Sequence, residues 1–222
     1  MKSLGTKLKK NLRIFVTTAM LAAVAGVLMS FEVSLPLMPV FYKLDFSDVP
    51  TIIGTFAYGP AAGISIEIIK LLIKLILTGT NSAFVGEFAN LIGIALFVVP
   101  IWLVYSRMGR TTKAVKVSLA VSVPIRVIFS CVINAFITLP MYAAAYGMSL
   151  NDVVLMVSTF NSSITNLGTF IILATVPFNL IKGGLNCLIG YILYTRLDRV
   201  HVFGDRMLSK KQQAAATKGA AA

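Results

Sequence analysis

The sequence predicts an all-α integral membrane protein, built as one bundle of six transmembrane helices. Three observations lead to this fold class. Hydrophobic residues make up 57% of the chain and charged residues only 13%, with a mean hydropathy of +0.87. Several apolar windows reach the roughly 20 residues that a membrane-spanning helix needs. Basic residues are concentrated between and beyond these windows, as expected for a multi-pass membrane protein.

The basic residues indicate how the helices are oriented. Clusters of five, four and six residues, out of 20 lysines and arginines, lie before the first span, around the loop "SRMGRTTK" and after the last span. The positive-inside rule places all three clusters, and hence both termini, on the cytoplasmic side of the plasma membrane. The net charge of +12 would also suit nucleic acid, but this distribution argues against such a partner. We expect a cytoplasmic N-terminus (1–11), one membrane domain (12–199) and a basic, low-complexity cytoplasmic tail (200–222).

The first three helices follow from hydropathy and turn signals. Helix 1, residues 12–30, follows a basic start and is too long for the apolar core of an ordinary signal peptide, so we expect it to be retained. A long outer loop follows it. Helix 2, residues 51–58, is too short to cross the bilayer alone. The turn "YGP" then admits helix 3, residues 61–78, and "GTNS" ends that helix.

The last three helices are predicted over residues 83–105, 115–139 and 177–197. Trp102 and Tyr105 suit the interfacial belt where helix 4 leaves the bilayer, and Pro177 suits the first turn of helix 6. Residues 140–176 mix polar and apolar runs. The sequence leaves open whether they form an outer loop with helical parts or belong to a longer helix 6.

Ionisable residues inside the predicted spans suggest function, because charges are costly in a membrane. They are Glu67, Lys70, Lys74, Glu87, Arg126 and Lys182. Glu67 and Lys70 share a face of helix 3 and could pair with each other, as Glu87 and Asn90 share a face of helix 4. For Glu87, pairing with Lys70 or Lys74 and contact with a ligand remain equal alternatives.

A polar stripe runs through the apolar segment "PFNLIKGGLN". Asn179, Lys182 and Asn186 fall at i, i+3 and i+7, so they share one face of helix 6. Asn134 and Thr138 on helix 5 are expected at the same outer level. Side-chain amides offer both donors and an acceptor, which suits a neutral heterocycle with alternating carbonyl and N–H groups. The alternative is that these amides only bond one helix to another.

The outer loop contains "FYKLDFSDVP", which alternates apolar and charged residues. Phe41, Tyr42, Leu44 and Phe46 could cover a pocket while Lys43 and Asp45 face water or form pairs. Asp48 could instead cap helix 2.

Helix 1 carries small residues at helical spacing. Ala19 and Ala23 are four residues apart, and Ala22, Gly26 and Ser30 form a second stripe. Such stripes let another helix approach closely, either inside the bundle or from a second membrane protein. The chain contains no GxxxxGK[ST] phosphate loop, so we expect that it cannot hydrolyse ATP by itself, and no histidine within a span that could activate a serine.

Together these motifs resemble the riboflavin-binding S components of energy-coupling factor (ECF) transporters. The resemblance covers about residues 12–199 and depends on "KLDFSDVPTIIGTFAYGPAAGISIEIIKLLIKLILTGT", on "GEFAN", and on "PFNLIKG". It implies a six-helix S-component bundle that binds riboflavin under the loop between helices 1 and 2. It also implies partners, namely one transmembrane coupling protein and two ATPases. No cofactor and no catalytic activity are implied, since riboflavin is the transported ligand; whether flavin mononucleotide (FMN) also binds stays open.

The resemblance also implies roles for particular residues. Asn179 and Lys182 would hydrogen-bond the flavin ring, Asn134 would meet the ribityl chain or the ring edge, and the loop over residues 41–46 would close over the ligand. Further expected binding residues are Lys43, Leu44, Asp45, Phe46, Glu87, Asn90 and Thr138. Ala19 and Ala23 match the family's AxxxA docking motif.

Two alternatives remain at this stage. Another vitamin, such as thiamine, would fit the same fold. An intramembrane enzyme using Glu67 or Glu87 as a base lacks a recognisable nucleophile or metal set.

Overall fold

The computed structural model describes residues 2–36, 38–39, 41–80, 82–159 and 161–199. The predicted tail over residues 200–222 lies outside the described residues. The described chain is mostly helical, with one short antiparallel hairpin. Its elements are α1 (Lys2–Ser30), β1 (Val33–Ser34), β2 (Lys43–Leu44), α2 (Asp48–Tyr58), α3 (Pro60–Thr78), α4 (Val85–Arg107), α5 (Thr112–Ile133), α6 (Leu139–Ala145), α7 (Leu150–Ser158), α8 (Leu167–Phe170) and α9 (Val176–Arg199).

Two pairs of these elements are joined by single π-helical turns. Asn134–Thr138 connects α5 to α6, and Ile171–Thr175 connects α8 to α9, so each pair forms one long helix. The described residues therefore contain seven continuous helices rather than the six predicted. The additional one, α7, lies in the stretch that the sequence left open, and both long helices extend further into that stretch than predicted.

Local capping explains why α7 is a separate helix. The Ser149 side chain accepts a hydrogen bond from the backbone N–H of Asp152, and the Asp152 carboxylate accepts from the Ser149 N–H at 2.8 Å. This reciprocal capping box satisfies donors at the helix start. Asn166 and Thr169 make the equivalent bonds at the start of α8.

Within the described residues, four helical segments are long and apolar enough to cross a membrane. They are Asn11–Ser30, Val85–Arg107, Thr112–Ala145 and Leu167–Asp198. Helix α3 has 19 residues but carries Glu67, Lys70 and Lys74. Helix α2 has only 11 residues, which agrees with the short second helix predicted. It turns directly into α3 at Gly59, whose φ of 99° favours glycine, with Pro60 at the first helical position.

Helix packing places two hydrophobic cores at the two ends of the bundle. Helices α1 and α3 pack together, as do α4 and α5, and α2 lies in contact with α1, α3, α4 and α9. The first core, around Ile52, Phe56, Phe97 and Tyr105, lies toward the end that carries the central basic loop. The second joins the outer loop to α6, α7 and α8 and surrounds Phe170.

Candidate functional site

A cavity of about 330 Å³ lies at the end of the bundle opposite the start of α1 and the loop between α4 and α5. It is bounded by the end of α1, the loop that follows it, the start of α4, the π segment after α5, and the start of α9. A volume of this size is within the range of small-molecule sites. The described residues contain no group of three or more His, Cys, Asp or Glu side chains that could hold a metal ion. Its lining includes Glu32, Phe41, Tyr42, Lys43, Asp45, Lys74, Ser82, Glu87, Asn90, Arg126, Asn134, Thr138, Tyr142, Phe178, Asn179 and Lys182.

An ion pair between the outer loop and α9 forms one side of the cavity. The Lys182 ammonium donates to the Asp45 carboxylate at 2.7 Å, and both side chains are buried. Burial raises the pKa of the Asp45 carboxyl, but the Lys182 charge opposes this, and the net effect is a pKa below its usual value. The other carboxylate oxygen accepts from the backbone N–H of Ser47 at 2.9 Å. The loop is therefore tied to α9 by a charge-assisted bond.

Asn186 supports this ion pair from behind the cavity. Its side-chain N–H group donates to the carbonyl oxygens of Asp45 at 3.0 Å and of Lys182 at 2.9 Å. Asn186 is fully buried and does not line the cavity. Of the three residues in the predicted polar stripe, Asn186 thus follows the alternative interpretation, in which an amide bonds parts of the bundle together.

A second carboxylate, Asp48, joins three helices. It accepts from Lys70 of α3 at 3.1 Å and from Arg126 of α5 at 2.8 Å. Lys70 also pairs with Glu67 at 2.7 Å, as the spacing on helix 3 predicted. The interpretation of Asp48 as a cap of helix 2 is wrong, because Ser47 occupies the N-cap position without a side-chain cap bond. The buried Asp48 carboxylate is paired with two cations, so ion pairing, and not helix capping, is its role.

A third buried ion pair, between α3 and α4, also lines the cavity. Lys74 of α3 donates to Glu87 of α4 at 2.7 Å, which confirms one of the two pairings considered for Glu87. The second oxygen of Glu87 accepts from Thr80 and Ser82, each at 3.1 Å. Glu87 is thus held by the turn between α3 and α4, and it also lines the cavity.

Aromatic side chains and amides form the remaining wall. The rings of Tyr42 and Phe178 are stacked, with centroids 4.6 Å apart and an angle of 10° between planes. The Tyr42 hydroxyl donates to Oδ1 of Asn134 at 3.0 Å and lies 2.7 Å from the Thr175 hydroxyl. Tyr42 therefore connects the outer loop to both long helices at their π segments. Single π-helical turns are frequent at functional sites.

The side-chain amides of Asn134 and Asn179, both predicted to bind the ligand, are each anchored to a backbone carbonyl four residues earlier. Nδ2 of Asn134 donates to the Ser130 carbonyl at 2.8 Å, and Nδ2 of Asn179 donates to the Thr175 carbonyl at 2.9 Å. These bonds hold each amide in one orientation at the cavity surface. Fixed polar groups beside aromatic surface are typical of sites that orient a small molecule.

Most of the predicted binding residues meet at this cavity. All of them line it except Leu44 and Phe46, and Phe46 is 40% exposed. The strand pairing of β1 with β2, in which Val33 faces Leu44 and Ser34 faces Lys43, determines which loop side chains turn inward. Asp45 and Lys43 form ion pairs, and Phe41 and Tyr42 line the cavity, as the alternation suggested, whereas Leu44 and Phe46 do not line it.

Several lining residues were not predicted from the sequence. Phe178 lies inside the "PFNLIKG" motif, but one aromatic residue in an apolar helix carries no signal of its own. Glu32 pairs with Lys43 across the hairpin, and Ser82 lies in the turn before α4. No local sequence pattern distinguishes these two from ordinary loop residues. Tyr142 lies in α6, beyond the predicted end of helix 5.

The two small-residue stripes of α1 lie in different surroundings. Ala22 and Gly26 are buried, and a Cβ atom at Gly26 would be 2.6 Å from Cγ2 of Ile73 on α3. Ala19 and Ala23 are exposed. The second stripe therefore packs inside the bundle, whereas the first faces outward.

Comparisons with known proteins agree on one family. A family model described as ECF transporter, substrate-specific component, matches residues 12–194. The riboflavin transporter RibU of Staphylococcus aureus (strain TCH60) is 31% identical over 190 residues, which are 86% of this chain and 92% of that protein. The riboflavin transporter FmnP of Bacillus subtilis (strain 168) is 32% identical over 184 residues, 82% of this chain and 90% of that protein. A solved structure of the S component of a bacterial ECF transporter matches with a TM-score of 0.67 and 31% identity, covering 86% of this chain and 98% of that one.

Proposed function

Because this chain belongs to the substrate-specific components of ECF transporters, we propose that the cavity under its outer loop binds riboflavin for import. The chain is a membrane-embedded transporter subunit and not an enzyme, which removes the enzyme hypothesis. One observation supports this proposal most: residues of the outer loop, α4, α5 and α9 line a single cavity. The relatives of the chain are named riboflavin transporters.

The composition of the cavity supports a flat heterocyclic ligand. Phe41, Tyr42 and Phe178 provide aromatic surface, against which a planar ring system packs favourably. Asn134 and Asn179 provide amide groups at the edge of that surface. We assign the flavin ring to Asn179 and Lys182, and the ribityl chain or ring edge to Asn134, with Thr138, Glu87, Asn90, Lys43 and Asp45 completing the site.

The orientation of the chain supports capture from outside. The cavity lies at the end away from the start of α1 and the loop between α4 and α5, whose basic clusters the positive-inside rule places in the cytoplasm. We propose that both termini are cytoplasmic, in the plasma membrane, and that residues 12–199 form a single membrane domain with the cavity at its outer face.

Release to the inside requires an energy source that this chain does not supply. We propose that it docks on an ECF transmembrane coupling protein with two ATPase subunits. The exposed Ala19 and Ala23 of α1 are the proposed contact, since small residues let a partner helix approach closely.

The first experiment is the visible absorption spectrum of the protein, purified in detergent from cells supplied with riboflavin. We expect a flavin spectrum that persists through gel filtration at about one ligand per chain. A colourless protein that also leaves the fluorescence of added riboflavin unquenched would contradict the proposal. Binding of thiamine or another vitamin instead of riboflavin would leave the family assignment unchanged but would replace riboflavin as the proposed ligand.

A further inference from the structure

We propose that the end of the bundle opposite the cavity binds the phosphate of an anionic lipid headgroup, at a site formed by Lys113 and Lys116 of α5 beside Tyr191 of α9. None of these three described residues lines the cavity. The site is therefore separate from the proposed riboflavin site, and its ligand is a lipid of the surrounding membrane.

Three of the segments that are long enough to cross a membrane meet at this end of the bundle. Val85–Arg107 and Leu167–Asp198 end there, and Thr112–Ala145 begins there. Helix α5 packs against both α4 and α9. Lys116 is the fifth residue of α5, so its backbone lies about 6 Å inside the start of the helix. A lysine at that depth extends its ammonium group toward the membrane surface, where lipid headgroups lie.

The Tyr191 ring holds the Lys116 ammonium at the contact between α5 and α9. The nitrogen lies 5.4 Å from the centre of the ring, within the range of a cation–π contact. Lys113 lies three residues earlier and shares the same face of α5. Both lysines are exposed. Two positive charges on one helix face repel each other, and an anion bound between them removes that repulsion.

The basic residues at this end differ in their partners from those at the cavity. Every lysine and arginine that lines the cavity is paired with a carboxylate. At the opposite end, residues 107–116 and 191–199 contain six basic residues and one acidic residue. Because these basic residues have few carboxylates near them, they can donate to phosphate oxygens without breaking an ion pair. Within the part of the chain that the structure describes, those that form no ion pair are Arg107, Arg110, Lys113, Lys116 and Arg196.

Two features favour a lipid over an acidic partner protein. Lys116 lies inside a membrane-crossing segment, so a group that reaches it must enter the headgroup layer, as a lipid phosphate does. Tyr191 provides the aromatic surface that is typical of the membrane interface. Basic pockets between transmembrane helices bind anionic headgroups in other membrane proteins. A water-soluble acidic surface would instead meet Arg107 and Arg110 first, next to the loop between α4 and α5.

A single-tryptophan variant of the full-length protein reports which lipids contact the site. Trp102 is the one tryptophan of the chain, so Trp102→Phe with Tyr191→Trp moves the fluorophore next to Lys116 and retains an aromatic ring there. The purified variant is reconstituted in phosphatidylcholine vesicles that contain an equal fraction of either brominated phosphatidylglycerol or brominated phosphatidylcholine. The bromine atoms, placed near the glycerol end of the acyl chains, quench tryptophan fluorescence at short range.

Two further substitutions are made separately in this variant. Lys116→Gln removes a cation of the site, and the control Lys9→Gln removes an exposed cation from α1, which packs on α2 and α3. Each lowers the net charge by one, so general attraction of anionic lipid changes equally. The melting temperature of each variant verifies that it is folded.

We expect brominated phosphatidylglycerol to bind about fivefold more tightly than brominated phosphatidylcholine, and Lys116→Gln to reduce this preference by about threefold or more. Lys9→Gln should leave the preference unchanged. Equal quenching by the two lipids would overturn the proposal and leave these cations available to an acidic partner protein. An unchanged preference in Lys116→Gln would also overturn it, as would an equal loss in Lys116→Gln and Lys9→Gln, because general charge attraction would then explain the binding.

Native mass spectrometry provides a second reading that does not require the moved tryptophan. The protein is mixed with equal amounts of phosphatidylglycerol and phosphatidylcholine, and we expect Lys116→Gln to retain at least about threefold less phosphatidylglycerol than wild type or Lys9→Gln. Equal retention by the three proteins would contradict the lipid site. Neither measurement uses riboflavin binding, so failure of the proposed function would leave both results valid.

Discussion

The ammonium nitrogen of Lys182 lies 2.7 Å from a carboxylate oxygen of Asp45, although the two residues are 137 positions apart in the chain. Asp45 belongs to the outer loop and Lys182 to the second turn of α9. Both residues line the cavity, so this bond connects the position of the outer loop to the shape of the site. Asn186 stabilises the same contact through the Asp45 carbonyl.

Replacing Asp45 with asparagine should destabilise the protein strongly. The substitution leaves the buried Lys182 charge without its ion partner, for which about 3 to 5 kcal/mol is the usual cost. We expect a clear fall in the melting temperature in detergent and weaker riboflavin binding. The double variant Asp45→Asn with Lys182→Met should melt above Asp45→Asn, because it removes the stranded charge. A melting temperature of Asp45→Asn equal to that of wild type would contradict this account of the pair.

Replacing Tyr42 with phenylalanine should weaken binding moderately. The ring can still stack on Phe178, but the hydroxyl bonds to Asn134 and Thr175 are lost. A lost neutral hydrogen bond costs about 1 kcal/mol, so riboflavin should dissociate several-fold faster. Tyr42→Leu, which also removes the ring, should be clearly worse in a stopped-flow release assay. Equal rates for the two variants would show that the hydroxyl alone matters.

The two asparagines of α9 should respond differently to alanine substitution. Asn179 lines the cavity, so Asn179→Ala should cost about 1 to 3 kcal/mol of riboflavin binding with a small effect on stability. Asn186 is fully buried and bonds to Asp45 and Lys182 carbonyls, so Asn186→Ala should lower the melting temperature more than Asn179→Ala does. Titration by fluorescence quenching and thermal unfolding separate the two effects. Unchanged affinity in Asn179→Ala would remove this residue from the proposed site.

Substitutions in the two small-residue stripes of α1 should affect docking and folding separately. Ala23→Leu adds bulk to an exposed face, so riboflavin binding by the isolated protein should persist while uptake in cells containing the coupling module is lost. Ala22→Leu places the same bulk in a fully buried position and should cost about 1 to 3 kcal/mol of stability. Uptake at the wild-type rate in Ala23→Leu would place the docking face elsewhere.

Many of the binding residues now proposed could be recognised before the fold was known. Asn179 and Lys182 are polar residues in an apolar segment at helical spacing, and such residues are expensive in a membrane unless they have a role. The same reasoning found Glu87 and Arg126. It missed Glu32 and Ser82, because a polar residue in a loop is ordinary and carries no such signal.

Sequence alone determined the class of this protein, because hydropathy and basic flanks are properties of each segment taken by itself. It predicted the membrane bundle, the short second helix and the polar residues within the spans. Only the tertiary structure decided which charge pairs with which: Asp45 with Lys182, Asp48 with both Lys70 and Arg126, and Glu87 with Lys74. A single sequence shows that a charge is buried in a bundle, but its partner depends on how distant helices pack. The cavity, which these pairings surround, is a property of that packing.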